Sequence, residues 1–171
     1  DSFIKNGSFN EASLGVYVYD QFVAQYLNLK DKNMEIALMM AMKHSSGISH
    51  LVVDIPVGPQ AFIKSIKDSV TIRKTIEFVA KELDMTVDVA VTDGREPIGC
   101  GIGALLEAKD VIRVLKRKDN ACDVLTEKAL FIASKVIEFD PKLKGGEGYI
   151  VAKEMLDSLR ALNTFDNIVN I

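Results

Sequence analysis

Apolar and polar positions recur along the chain with two different periods. Apolar residues run almost unbroken through His50–Pro56 (HLVVDIP) and Thr86–Thr92 (TVDVAVT), whereas between them Ile72, Ile76, Val79, Ala80 and Leu83 return every three or four residues. A β-branched run closed by proline reads as a strand buried on both faces, and the wider spacing reads as a one-sided helix. Strand, helix of about fifteen residues and strand make a βαβ unit, whose strands are expected to run parallel with a right-handed crossover.

Further helices follow from the same period. In MEIALMMAMKH, residues Ile36, Met39, Met40 and Lys43 fall on one side, Asn33 is placed to cap the start, and Gly47 supplies the left-handed stop. After the turn VGPQ, Asp68 or Ser69 can cap the middle helix. Downstream, the pattern predicts helices over 104–116, 122–139 and 148–162, the last after the loop DPKLKGGEG, with Phe165, Ile168 and Val169 as a closing amphipathic turn. The first thirty residues carry Tyr17, Tyr19, Phe22, Val23 and Tyr26, which suit a strand or a helix. The expected class is α/β: a mixed, mostly parallel sheet with flanking helices and a helical C-terminal half. Residues 1–32 are read as a leading segment of the same domain as residues 33–171.

A chain of 171 residues, 48% of them apolar and 26% charged, fits one globular domain with one core as the default. The net charge is -3, and its 21 Lys and Arg are scattered except for Lys116-Arg117-Lys118, so the electrostatic footprint of a nucleic-acid binder is missing. Two cysteines and two histidines are too few for a disulfide framework or a zinc ligand set, which points to no metal and a reducing, cytoplasmic setting. No basic-then-apolar opening occurs, and no apolar run approaches the ~18 residues of a membrane span, so no membrane partner is expected. Asp1 opens the sequence in place of an initiator methionine, which suggests a piece of a longer protein.

Candidate chemistry is concentrated in TDGREPIGCGIGALLEAKDVIRVL, Thr92 to Leu115. Gly99, Gly101 and Gly103 are spaced G-x-G-x-G, which is not the dinucleotide spacing G-x-G-x-x-G, and Gly103 is followed by Ala104 where a Walker loop needs lysine. Two readings stand: backbone N–H groups contacting an anion at a helix start, or a tight strand-to-helix bend with anion contact secondary. KHSSG (Lys43 to Gly47) invites a phosphate clasp, although a helix C-terminus is the wrong end for an anion and Lys43 and His44 more simply stabilise it. Asp54 sits near the carboxyl end of a buried strand, where α/β sheets gather ligands, and serves either catalysis or as a buried acceptor for the Pro56–Gly58 turn. Asp88 carries the same alternatives, while Asp93, Arg95 and Glu96 read as a solvated turn. Met34, Met39, Met40 and Met42 read as adaptable core or interface.

The order of these motifs carries a resemblance. A helix ending in Lys-x-x-x-Gly, then HLVVDIPVG, a βαβ unit, the block P-I-G-x-G-I-G-x-x-L-E-A, and GGEGYIVAKEMLDSLRAL together resemble the central domain of the pyrimidine-nucleoside phosphorylase family, over about residues 33–170. Within it the chain looks most like the branch of archaeal AMP phosphorylases and bacterial thymidine phosphorylase-like proteins. That likeness implies phosphorolysis, in which phosphate attacks the anomeric carbon of a nucleoside or nucleotide and releases base and sugar 1-phosphate. It implies phosphate as co-substrate and no metal or organic cofactor. The family's Lys-Lys pair, whose first member contacts the substrate, falls on Met42 and Lys43, so Met42 departs from the pattern in the contacting slot and the contact is carried onto Lys43, the second; DSFI resembles a substrate-side loop and carries a further contact onto Ser2. Catalytic residues are not assigned, because the family's glycine-rich signature and its Lys-His-Ser-Thr-Gly-Gly segment find no counterpart. The resemblance thus implies a partial, inactive piece of a pentosyltransferase that forms a homo-oligomer. The rivals are a non-catalytic α/β dimerisation module, in which the Met-rich helix and the C-terminal helices form the surface, and a dinucleotide-dependent oxidoreductase.

Overall fold

A computed structural model describes residues 14–18, 31–143 and 145–170. These residues divide into two compact units, the first ending at Glu96 and the second beginning at Pro97. Each has its own apolar cluster.

The first unit runs β1 (Leu14–Val18), α1 (Lys32–Ser45), β2 (His50–Val57), α2 (Ile66–Glu82) and β3 (Thr86–Asp93). Its sheet has the order β1-β2-β3, and both pairings are parallel, with Val16 opposite Val52 and Val52 opposite Asp88. The class is α/β, as the two apolar runs imply, and β1 settles part of the leading segment as a strand. Central β2 has neighbours on both sides, which is why Leu51 through Ile55 are all buried. Leu51, Val53 and Ile55 meet Ile36, Met39 and Met40 of α1, Ile72, Ile76 and Ala80 of α2, and Val89 of β3 in one cluster. Full burial of each large side chain contributes about 1.5–3 kcal/mol, so the α1 and α2 stripes are the main reason these helices lie on the sheet. By strand alternation Val52 and Asp54 point to the opposite face.

The starts of α1 and α2 differ from expectation. Asp31, not Asn33, caps α1: its Oδ1 accepts the Asn33 N–H at 2.9 Å, so Asn33 is already inside the first turn. Likewise Ser65, rather than Asp68 or Ser69, caps α2, because Ser65 Oγ accepts the Asp68 N–H at 3.1 Å and donates to Asp68 Oδ2 at 2.8 Å. A Ser-x-x-Asp pair at the helix start satisfies a backbone donor that either later cap would leave open. The stop after α1 is as expected, with Gly47 at φ 79° and the Ile48 N–H donating to the Lys43 carbonyl at 3.2 Å.

The second unit is helical: α3 (Ala104–Leu115), α4 (Asp123–Ile137), α5 (Glu147–Asp157) and α6 (Arg160–Val169). Its cluster gathers Val114, Leu130, Ala152 and Leu156, flanked by Leu115, Leu125, Ile137 and Tyr149. The α4 and α5 backbones approach closely at Gly148, where a Cβ would lie 2.5 Å from the Ser134 carbonyl oxygen and 2.6 Å from Glu138 Cγ. The single helix expected over 148–162 is two helices. Ser158 closes α5, and Leu159 turns left-handed at φ 60° before α6 begins. Neither glycine nor proline marks this break, so no local signal announces it. Among the described residues, no helix is long and apolar enough to cross a membrane.

Candidate functional site

Parallel strands deliver their loops to one edge, so the residues after β2 and β3 are neighbours in the first unit. Asp54, 1% exposed, accepts a hydrogen bond of 2.6 Å from Thr92 Oγ1 across the two strands. Asp54, expected as a buried acceptor for the Pro56–Gly58 turn, is thus a buried acceptor bonded by Thr92 of β3, the residue that sequence reasoning passed over. Its signal was available in the parallel register, which sets Asp54 beside Ala90 and Pro56 beside Thr92, so that Thr92 follows on the same face.

Beyond the strands the two loops are laced together. Gly94 N–H donates to the Val57 carbonyl at 2.9 Å, and Gly58 N–H donates to the Ile63 carbonyl at 3.0 Å, folding the VGPQ loop back on β2. A Cβ at Gly58 would lie 2.5 Å from both the carbonyl carbon and oxygen of Gly94 and 2.6 Å from the Arg95 nitrogen. Only glycine allows such approach of one backbone to another. On the solvent side, Arg95 Nε and its own N–H bond the Asp93 carboxylate at 2.9 and 3.0 Å. The Asp93 carboxylate holds the Arg95 guanidinium above its ordinary pKa, so the edge carries a fixed cation matched by its own anion.

Lys43 lies elsewhere. It sits in the last turn of α1, its carbonyl bonded to Ile48 N–H, and the next residue, Ser49, accepts the N–H of Thr86 at 2.8 Å. That places Lys43 toward the amino-terminal edge of β2 and β3, away from Asp54 and Thr92. Nearby Ser49 Oγ and His50 Nδ1 share a hydrogen bond of 2.9 Å, and burial pushes the His50 imidazole below its ordinary pKa. Ser2 falls outside the described residues. Asp88 lies at a half-buried position of β3.

The glycine loop belongs to the second unit, and its donors are aimed at carboxylates of α3. Asp110 Oδ2 accepts the Cys100 and Gly101 N–H groups at 2.8 and 2.7 Å, and Asp110 Oδ1 accepts from Arg113 at 3.0 Å. The Cys100 N–H, then that of Gly101, holds the Asp110 carboxyl below the usual carboxylate range, with Arg113 adding to the effect. Gly103, at φ 96°, is the N-cap of α3, and its N–H donates to Glu107 Oε1 at 3.0 Å. The amides proposed for an anion therefore face anions that the chain supplies itself, an arrangement that favours the tight-bend reading. Asp110 was missed because it is an acid in an amphipathic helix. The available clue is its position four residues before buried Val114, on the apolar stripe. Among the described residues, no group of three or more His, Cys, Asp or Glu is placed to hold a metal ion.

Comparison with known proteins adds a direct likeness. No protein-family model matches the chain. A protein of Albidiferax ferrireducens named "Putative thymidine phosphorylase" is 42% identical over 147 residues, covering 86% of this chain and 28% of that protein. Proteins with the same name from Bradyrhizobium diazoefficiens and Methylococcus capsulatus are 43% and 36% identical over 148 residues, each covering 86% of this chain and 29% of the relative. The chain spans less than a third of the length of the curated relatives it matches. Across the 86% of it that these matches cover, the chain is a homologue of part of the proteins that carry this thymidine phosphorylase name.

Proposed function

We propose that this chain supplies part of a pentosyltransferase that splits a nucleoside or nucleotide with inorganic phosphate. The observation that carries the reading is identity of 36–43% to thymidine phosphorylase-named relatives over 86% of the chain. In the reaction a phosphate oxygen forms a bond to the anomeric carbon as the bond from that carbon to the base nitrogen breaks; the base takes up a proton and sugar 1-phosphate remains. Such chemistry needs donors for phosphate and a proton source beside the leaving base. Lys43 and Ser2 are proposed as substrate contacts, phosphate as the co-substrate and no further cofactor. A soluble, cytoplasmic homo-oligomer completes the reading.

By itself this stretch is proposed to turn over negligibly, since loss of even one transition-state donor costs on the order of a hundredfold or more in rate. The test compares the chain with a protein of the relatives' length that contains it, using thymidine, uridine and AMP with phosphate or arsenate. Phosphate-dependent base release by the longer protein alone is expected. Release by neither, on all three substrates, overturns the phosphorolysis reading.

A second reading, the interaction module, has one observation in its favour. Ile102 and Leu105 beside the glycine loop are 83% and 82% exposed, an apolar display at the start of α3. Size-exclusion mass measurement with phosphate titration separates the two, because a module self-associates without binding phosphate.

A further inference from the structure

Helix α6 has little in its own sequence to hold it. Its five apolar residues, Ala161, Leu162, Phe165, Ile168 and Val169, fall on one side at helical spacing, and Arg160, Asn163, Thr164, Asp166 and Asn167 take the other. Its ten residues are fewer than the ~12–15 that a helix needs to stand without tertiary support. The start adds nothing: Leu159 at the N-cap makes no side-chain bond, and the first turn carries no acid. Leu159 itself stands at φ 60°, a left-handed conformation that persists only where the surrounding packing over-determines it. Packing of the apolar stripe must therefore keep α6 in place. Helix α5 covers that stripe only in part. Ala161, Leu162 and Phe165 are half-buried, whereas Ile168 and Val169 are 50% and 64% exposed, and none of the described residues of α6 is fully buried.

We propose that the open part of this stripe is an internal docking face, covered in a protein of the relatives' length by an apolar surface of the same polypeptide that lies outside these 171 residues. The relatives supply such polypeptide, since the matched region is 28% of one of them and 29% of another. A second copy of the chain is the weaker occupant on grounds of size. A stable complex between free partners takes about 20–30 residues a side. The stripe offers five apolar side chains, of which Ile168 and Val169 are the open ones. Within one polypeptide the linkage removes most of the association cost that sets this requirement, because its effective concentration is on the order of millimolar. A small face can then hold. The polar side of α6 turns its donors on its own backbone, with Thr164 Oγ1 donating to the Arg160 carbonyl at 3.0 Å and Asn170 Nδ2 donating to the Asp166 carbonyl at 2.7 Å. The inference rests on the relationship to the longer relatives and not on phosphorolysis, since no substrate enters it.

The experiment compares the chain with a protein of the relatives' length that contains it, by hydrogen exchange at the α6 amides, and repeats both with Ile168→Lys combined with Val169→Lys. Lysine suits the last turn of a helix, so the double substitution disturbs the open face rather than the helix end. Expected is exchange at residues 164–169 at least about tenfold slower in the longer protein, with that gain lost in the double variant and thermal unfolding of the chain alone unchanged by it. Equal exchange in the two parent proteins overturns the proposal. So does a large fall in the Tm of the chain alone on double substitution, which would place the cover of this face within the chain. Protection in the chain alone that rises with concentration, together with a dimer mass on size exclusion, also overturns it and gives the face to a second copy. No turnover is measured, so each result is independent of base release.

Discussion

Substituting Gly58→Ala tests the close approach of the β2 and β3 loops. The added Cβ would sit 2.5 Å from Gly94 carbonyl carbon and oxygen, and ordinary contact begins at 3.4 Å, so the loops must part by about 0.9 Å. Neither contact is the end of a flexible side chain, so rotation cannot relieve it. The Gly94 N–H to Val57 carbonyl bond, now 2.9 Å, spans the same junction and would stretch out of range. Losing one backbone hydrogen bond costs about 0.5–1.5 kcal/mol and overpacking costs about 1–3 kcal/mol, together about 1.5–4.5 kcal/mol. For a chain of this size that is a fall in Tm on the order of 3–18 °C. Thermal unfolding followed by circular dichroism reads the shift, and hydrogen exchange at the Gly94 amide localises it, with protection lost there before the β2 core. Gly94→Ala, whose Cβ would meet the Pro56 Cβ at 2.9 Å and the Ala61 Cβ and Pro56 carbonyl carbon at 3.0 Å, a milder overlap than at Gly58, should cost less. An unchanged Tm with full protection at Gly94 would refute the reasoning.

Thr92→Val removes the hydroxyl donated to buried Asp54 while keeping shape, and should destabilise the first unit by about 1.5–3 kcal/mol in urea unfolding. Gly148→Ala should lower stability by about 1–3 kcal/mol through separation of α4 from α5, read by the same titration. Asp110→Asn should raise hydrogen exchange at the Cys100 and Gly101 amides without altering the first unit. Because the folded Asp110 carboxyl is held below its ordinary pKa, its contribution is present above that ordinary value and is lost as pH falls toward the folded one. Protection of those two amides should accordingly collapse on acidification in the parent chain and show no such step in Asp110→Asn.

How much of this was legible depended on whether the signal was periodic or local. The two strands were readable because β2 is flanked on both sides, so Leu51 to Ile55 could all be apolar apart from Asp54. Strand ends agreed within a residue. The starts of α1 and α2 did not, because Asp31 and Ser65 act through a side-chain bond to a residue two or three positions on, and several neighbouring polar residues could do the same. The α5–α6 break rests on Leu159 in a left-handed conformation that leucine seldom adopts, so only tertiary context determines it. Family motifs could be read from letters alone, while the destination of each loop donor could not.

That difference bears on how the glycines should be interpreted. Glycine runs near an α/β sheet edge are commonly taken for ligand cradles, yet the two sets here do separate structural work. Gly58 and Gly94 have no room for a side chain because one backbone crosses another, and that crossing fixes where the β2 and β3 loops lie. Cys100, Gly101 and Gly103 turn their amides toward Asp110 and Glu107, so an external anion would have to displace carboxylates already held by those donors. Competition of this kind makes a measurable distinction. If inorganic phosphate bound the loop, it would free Asp110 and raise its carboxyl toward the ordinary range, whereas phosphate bound at any other place would leave the Cys100 and Gly101 amides as protected as before. Phosphate titration followed at those two amides therefore decides whether the loop is a bend or a cradle, independently of whether any nucleoside is cleaved.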